Sequence, residues 1–367
     1  MAKTRTTIII PNYNGARHLQ ALLPTIIAQT QAPARVLVVD NGSSDDSLAT
    51  VQGTTDVLPL TTNYGFAYAV NRGIEAANTE FVAILNNDVL LHPEWLARLE
   101  ETLDETKADF ACPLLASGTV TGMADGAYDL LSRSGCALRA LHGAPLATVK
   151  REVRRRIQFP PMTAALFRRG LFDKVGLLDE SFESYLEDVE FGLRAAGHGS
   201  FGYWEPRAYA THVGSATLGV WSARATALIA RNQLLLICRH YSPQLLRRWW
   251  WPVLVGNLLY LLLALRHGQG GAALRGKWRA LRQWKRLRGK EEGPSIRAIV
   301  EKSDAELYAL THPRRGTGPK TGSASATHMS ADQESANGEE AVSEGPSSFW
   351  RLYYLLCPAV LKVTADQ

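Results

Sequence analysis

Apolar residues in the first hundred positions fall into two patterns, short continuous runs and longer stretches at helical spacing, and the two alternate. Thr6 to Ile10, Arg35 to Val39, Val57 to Leu60 and Phe81 to Leu85 read as strands. Phe81 to Leu85 shows no polar alternation, the pattern of a parallel strand covered on both faces by helices. Between the runs, Leu19 to Gln29 has helical spacing, with Pro24 expected to bend or divide the helix. Ser44 or Asp45 could cap a short helix after the second strand. A third helix is expected from about Phe66 to Ala77. A fourth has Pro93 in its first turn and apolar Leu96, Leu99 and Leu103 on one face. This βαβαβαβα order predicts an α/β protein with a parallel, doubly wound sheet.

The segment after each strand is polar. The runs lead into Pro11-Asn12-Tyr13-Asn14-Gly15, Asp40-Asn41-Gly42-Ser43-Ser44-Asp45-Asp46, Asn63-Tyr64-Gly65 and Asn86-Asn87-Asp88. Ligands in such sheets bind beyond the carboxyl ends of the strands, so these are candidate binding loops as well as ordinary turns. Neither GxGxxG after the first strand nor GxxxxGK[ST] is present, which argues against a dinucleotide-dependent dehydrogenase and a P-loop enzyme. Loops rich in Asn and Asp can instead hydrogen-bond a base and ribose and, with a divalent cation, hold a pyrophosphate.

Bulk properties narrow the setting. The chain has 367 residues, enough for one large domain with appendages or for two domains. Its four cysteines are scattered, pointing to a reducing compartment and to no zinc site. Lys3 and Arg5 precede only a three-isoleucine run, too short for the core of a signal peptide, so the catalytic part is expected in the cytosol. The net charge of +5 is uneven: Arg247 to Lys290 holds eleven Lys and Arg and no acid, beside Trp249 to Leu265, seventeen uncharged residues. That pairing suggests an anionic membrane surface. No nucleic-acid-binding motif accompanies it.

The ordered motifs PNYNG, VVDNGSSDDS, NYGFAYAVNRGI and NND resemble bacterial glycosyltransferase family two, on the GT-A fold. FRRGLFDKVGLLDESFESYLEDVEFGLRAAGHG, within Phe167 to His212, resembles the acceptor half of its rhamnosyltransferase-like branch. The resemblance covers roughly residues 5 to 240. It implies a GT-A domain over 1–240, with a nucleotide-sugar half at 1–110 and an acceptor half at 111–240, and an inverting transfer from a nucleotide-diphosphate sugar to a hydroxyl of a glycan or lipid-linked acceptor. By the same resemblance Asp88 ligates Mg2+ or Mn2+, His212 can complete the metal shell, and Asn86 points to the ribose. Asp40 accepts from the base, Asn63 lies near the sugar nucleotide, and Pro11, Asn12 and Tyr13 line the base pocket. Asp188 is the expected general base and Glu187 orients the acceptor. Two carboxylates at a helix start also suit the helix dipole alone. Arg231-Asn232 is a further point of resemblance, with no role attached to it.

The sequence departs from the family at Asn86 and Asn87, which lack the charge of more acidic versions, and at Pro160-Pro161-Met162-Thr163-Ala164. Metal affinity is expected to be the weaker for the first. Two other readings remain open: a sugar-phosphate nucleotidyltransferase, and a catalytically degenerate membrane-bound scaffold. Ala111 to Gln158 suggests hairpins and a mobile loop, and its Lys150 to Arg156 cluster either a solvated loop or a phosphate-facing flap. Residues 241–312 are expected to form a helical, basic and aromatic membrane-associating region, seated peripherally on the cytoplasmic face of the cell membrane. Residues 313–348 have the composition of a disordered linker. Residues 349–367 return to an amphipathic pattern that either touches the membrane or folds back on the body.

Overall fold

The computed structural model describes residues 4–214, 221–287, 294–312 and 348–359. The expected alternation is present: β1 (Thr6–Asn12), α1 (Ala16–Ile27), β2 (Arg35–Asp40), α2 (Ser47–Val51), β3 (Asp56–Pro59), α3 (Phe66–Ala76), β4 (Phe81–Leu85), β5 (Val89–Leu91) and α4 (Trp95–Thr106). β1 pairs in parallel with both β2 and β4, and β2 with β3. Every residue of β4 is buried. Val82 and Ile84 join one apolar cluster while Phe81, Ala83 and Leu85 join another, so helices cover both faces of the strand. The parallel order 3-2-1-4 reverses direction between β1 and β4, and a crevice opens at such a switch point.

Three local expectations need correction. Pro24 lies inside α1, which runs on through Ile27 undivided. Pro93 precedes α4, which starts at Trp95. α2 begins after Asp46, not after Ser44 or Asp45. The Asp45 carboxylate instead accepts from the backbone N–H groups of Ala16 and Ser47, tying the starts of α1 and α2 together.

The sheet continues with β6 (Phe110–Ser117), β7 (Ala124–Gly126), β8 (Asp129–Leu131), β9 (Ala137–Arg139), β10 (Arg155–Ile157), β11 (Ala164–Arg168) and β12 (Gly202–His212). β11 runs antiparallel between β4 and β6, and β12 lies parallel to β6. The whole is therefore a mixed, mostly parallel sheet. Residues 111–158 hold the expected hairpin: β8 and β9 pair antiparallel with Leu130 and Leu131 in the core, beside β6, which is buried along nearly its full length. The arginine cluster does not form a flap over the strand ends. Arg154 bonds Glu205 and Glu105, Arg155 pairs with Glu306 at 2.9 Å, and Arg156 stacks on Phe201 at 4.0 Å.

α5 (Arg169–Val175), α6 (Glu187–Gly197) and α7 (Ala223–His240) complete the body, followed by α8 (Pro243–Arg266), α9 (Gly270–Leu287), α10 (Pro294–Thr311) and α11 (Ser348–Leu356). α8 lays an inner face of Trp249, Pro252, Val255, Leu259 and Tyr260 on the body, and Asn257 donates to the carbonyl of Ser134. α11 folds back on the body, with Trp350, Tyr353 and Tyr354 buried. Arg133 secures it by donating to the carbonyls of Cys357 and Pro358 while paired at 2.8 Å with Asp304. The expected linker lies, apart from Ser348, outside the described residues.

Candidate active site

The crevice at the switch point is a cleft of about 750 Å³. Pro11, Asn12, Tyr13, Asn41, Asn63 and Asn86 to Asp88 line one wall, and Asp125, Asp129, Arg139 and Tyr185 to Asp188 the other, with His212 between. Of the sequence-derived residues only Asp40 is off the lining. It is buried behind Asn12, accepting from the Asn12 side chain at 3.2 Å and from Ser43 N–H at 3.1 Å.

The first wall is built by strand ends. β1 and β4 stop side by side, so Asn87 can donate to the Asn12 side chain at 2.7 Å, and Asn12 passes the contact on to Asp40. Gly15 is needed for this approach, because a Cβ there would sit 2.1 Å from the Asn87 amide nitrogen. Asn41 fixes the next loop, donating to Gly65 O and Asn63 and accepting from Tyr64 N–H. Asn86, on the lining of the cleft, keeps a buried side-chain oxygen without a partner among the described residues.

Asp88 and His212 meet because β5 pairs antiparallel with β12, with His212 opposite Val89. His212 Nε2 lies 3.4 Å from Asp88 Oδ1, and Nδ1 lies 2.9 Å from Asp125 Oδ2. Burial lowers the His212 pKa, but the bonds to Asp125 and Asp88 outweigh it and hold the imidazole at about 9. Burial likewise acts to raise Asp125, and His212 and Arg139 reverse it, leaving that carboxyl below its ordinary value.

This donor set suits a divalent cation. An oxygen and an imidazole nitrogen 3.4 Å apart can both reach one ion, and a carboxylate behind the imidazole orients it as in many metal sites. Among the described residues no group of three or more His, Cys, Asp or Glu closes around one point. The remaining ligands would be water and substrate oxygens, the usual arrangement for ions that bridge phosphates.

The second wall carries the acids. Leu186 caps α6, placing Glu187 and Asp188 in its first turn. Burial and the nearby charge of Asp129 push Asp188 up to about 7, although Arg139 opposes the rise. Burial, and next to it the charge of Asp188, raise Glu187 well above the ordinary carboxyl value. One of its oxygens has no hydrogen-bond partner among the described residues.

The turn that delivers these acids is strained. Glu183, Tyr185 and Leu186 all have positive φ without being glycine. Asn232, fully buried on α7, donates its amide to the carbonyls of Phe182, Ser184 and Tyr185 at 2.7–2.9 Å. Arg231 donates to Glu183 at 2.6 Å and to the Ser181 carbonyl. The turn also reaches the other wall, where Ala67 N–H donates to Glu183 O. Gly65, at φ 96°, leaves room for that contact, since a Cβ would lie 2.9 Å from the same oxygen.

Sequence reasoning missed Asp125, Asp129 and Arg139. They sit on strands of three residues, too short to show a period, and their only sequence signal is charge within a largely apolar stretch. Arg231 and Asn232 stood out in the sequence without a role; their role is to hold the strained turn.

Residues 7–176 match the model for glycosyl transferase family 2. An uncharacterised glycosyltransferase of Nostoc is 29% identical over 48% of this chain and 54% of its own, so the chain spans about half the length of that relative. The N-acetylglucosaminyl-diphospho-decaprenol L-rhamnosyltransferase of Mycobacterium tuberculosis is 28% identical over 71% of this chain and 90% of its own. In fold the chain is similar to GalNAc-T7, solved with UDP, GalNAc and Mn2+, with a TM-score of 0.55 at 16% identity over 71% of this chain and 51% of that one. Residues 7–176, on a sheet whose fold is similar to that of GalNAc-T7, thus form a domain that matches glycosyl transferase family 2.

Proposed function

We propose that the protein is an inverting glycosyltransferase that moves a sugar from a nucleoside-diphosphate donor to a hydroxyl of a glycan or lipid-linked acceptor by a single displacement. The observation that carries this reading is the placement, in one cleft, of the Asp88–His212 pair opposite a second-wall carboxyl, Asp188, whose pKa lies at about 7. In this reading the donor diphosphate faces Asp88, the base and ribose lie along Asn12, Asn63 and Asn86, and Asp188 takes the proton of the attacking hydroxyl. A base poised near the working pH suits that step. Glu187 orients the acceptor. A bound Mg2+ or Mn2+ would offset the negative charge that develops on the diphosphate as it leaves. The name of the mycobacterial relative, with its diphospho-decaprenol acceptor, supports a lipid-linked acceptor here.

The same reading places the protein peripherally on the cytoplasmic face of a membrane. Trp250, Leu254, Leu258, Leu262 and Leu265 form an exposed stripe on α8. On α9, exposed Leu274, Trp278 and Leu281 alternate with exposed Arg275, Arg279 and Arg282, and Arg282 stacks on Trp278. Apolar and aromatic side chains beside cations suit an anionic lipid surface. α8 is apolar and long enough to cross a bilayer, yet its inner face is packed on the body, which favours lying on the surface.

The test is a thermal-shift and donor-hydrolysis screen of UDP-glucose, UDP-N-acetylglucosamine, GDP-mannose and dTDP-rhamnose, with MnCl2 and with EDTA. Stabilisation and slow hydrolysis with one donor, present with manganese and lost with EDTA, are expected. No metal-dependent response to any donor would favour the scaffold reading. For the membrane seat, the protein is expected to float with phosphatidylglycerol vesicles and not with phosphatidylcholine vesicles in high salt; failure to float with either overturns it.

A further inference from the structure

The two functional ends of the cleft are joined by a side chain that neither of them contains. Arg139, at the end of β9, donates through Nε to Asp129 at 3.2 Å and through Nη1 to Thr163 at 3.2 Å. Nη1 also lies 3.7 Å from Asp125, which holds His212, and Nη2 lies 4.0 Å from Asp188 Oδ2. One guanidinium thus faces three carboxylates from two elements of the hairpin region and from α6. Its orientation is fixed by a hydroxyl on the β4–β11 side. Asp129, on the partner strand of the hairpin, is itself buried and keeps one oxygen without a hydrogen-bond partner among the described residues.

We propose that Arg139 and Asp129 are a pair of positioning residues for transfer: the hairpin presents them together to Asp188, Arg139 holding its carboxylate toward the cleft and Asp129 opposing it with like charge. The inference rests on Asp188 being the base. The charged and titratable groups facing Asp188 are Asp129 and Arg139 from the hairpin and Glu187 from its own helix. The remaining acid of α6, Glu190, is occupied by Arg194 and His240. Because Arg139 is bonded to both Asp129 and Thr163, lysine at this position keeps the charge and loses the fork.

This arrangement makes an unusual demand. Removing Arg139 and removing Asp129 must move Asp188 in opposite directions, because one favours its charged form and the other disfavours it. A merely structural pair would damage the site in the same direction from either side.

The experiment is a 13Cγ-aspartate NMR titration of the full chain, with the Asp188 resonance assigned by its loss in Asp188→Asn, alongside the pH profile of kcat with the best donor from the screen. Arg139→Gln is expected to raise the Asp188 midpoint by about 1 pH unit and to lower kcat near pH 7 by about tenfold, with partial recovery at higher pH. Asp129→Asn is expected to lower the midpoint, and Arg139→Lys to leave it near the wild-type value. If Asp188→Asn is inactive while neither Arg139→Gln nor Asp129→Asn moves the midpoint, or both move it the same way, this inference is wrong and the base assignment stands. If Asp188→Asn keeps its turnover, the base assignment itself is wrong. Circular dichroism and thermal melts identify any variant that has failed to fold, and Arg139→Lys then carries the test with Asp129→Asn.

Discussion

The two walls of the cleft are made of different materials. The donor-side wall is a row of amides, Asn12, Asn41, Asn63, Asn86 and Asn87, with a single acid on the lining at Asp88. The opposite wall concentrates charge: Asp125, Asp129, Glu187 and Asp188 around Arg139. Amides at strand ends bind by directional hydrogen bonds and keep their state at any pH. A cluster of carboxyls around one guanidinium is suited to moving a proton, since each charge sets the ionisation of the next. In the proposed reading the difference separates binding from chemistry within one cleft. It also separates regular scaffold from irregular scaffold, because the amides follow long strands whereas the acids ride on three-residue strands and a strained turn.

The largest expected effect tests the charged wall. Asp188→Asn should lower the transfer rate by roughly two to four orders of magnitude while nucleotide-sugar affinity and folding stay near normal, because the amide cannot accept the proton. In the wild type, kcat should rise with pH through about 7, where Asp188 loses its proton, and fall away below it. Glu187→Gln should act more on the acceptor KM than on kcat. A larger rate loss in Glu187→Gln than in Asp188→Asn would exchange their roles.

The amide wall is tested through its single lining acid. Asp88→Ala should remove metal-dependent turnover, by about two to three orders of magnitude, with little change in melting temperature. Isothermal titration of Mn2+ with UDP present should show the matching loss of metal binding. Unaltered metal-dependent turnover would move the cation site elsewhere.

Asn232→Ala probes the strained turn between the walls. It leaves buried carbonyls of Phe182, Ser184 and Tyr185 without their donor, at a cost of about 1–3 kcal/mol of stability. An accompanying fall in kcat of about tenfold is expected, since a base displaced from its reacting position loses rate. A drop in melting temperature with unchanged kcat in the folded protein would reduce Asn232 to a stability role. The smallest effect is expected at Arg155→Ala, where a half-exposed ion pair with Glu306 is lost outside the cleft. Its kinetics should match wild type; a change in donor KM would restore the flap reading of the arginine cluster.

The parts of the fold legible in the sequence are those set by periodicity and register. Phe81 to Leu85 announces a doubly covered strand because its burial on both faces leaves no polar position, and the residues after it then have only the crevice to face. The same logic, with the family resemblance, reached Asn86 and Asp88 on the lining, and Pro11 to Tyr13 beside them. Asp188 was reached through its motif, and its pKa could not be read there. That value comes from burial and from Asp129, fifty-nine positions away in the numbering and brought close only by folding. Trp249 to Leu265 announced an apolar helix, but whether its faces meet protein or solvent was undetermined by composition; the packing of Trp249, Val255 and Leu259 on the body decided it. Local pattern, then, determined the strands of the first eighty-five residues and the chemistry of the loops that end them. Tertiary structure alone decided which side chains share a field: β5 pairing with β12 put His212 beside Asp88, and the hairpin put Arg139 among the acids. The physical reason is range, because backbone periodicity is set by neighbours along the chain while the ionisation of a buried group is set by neighbours in space.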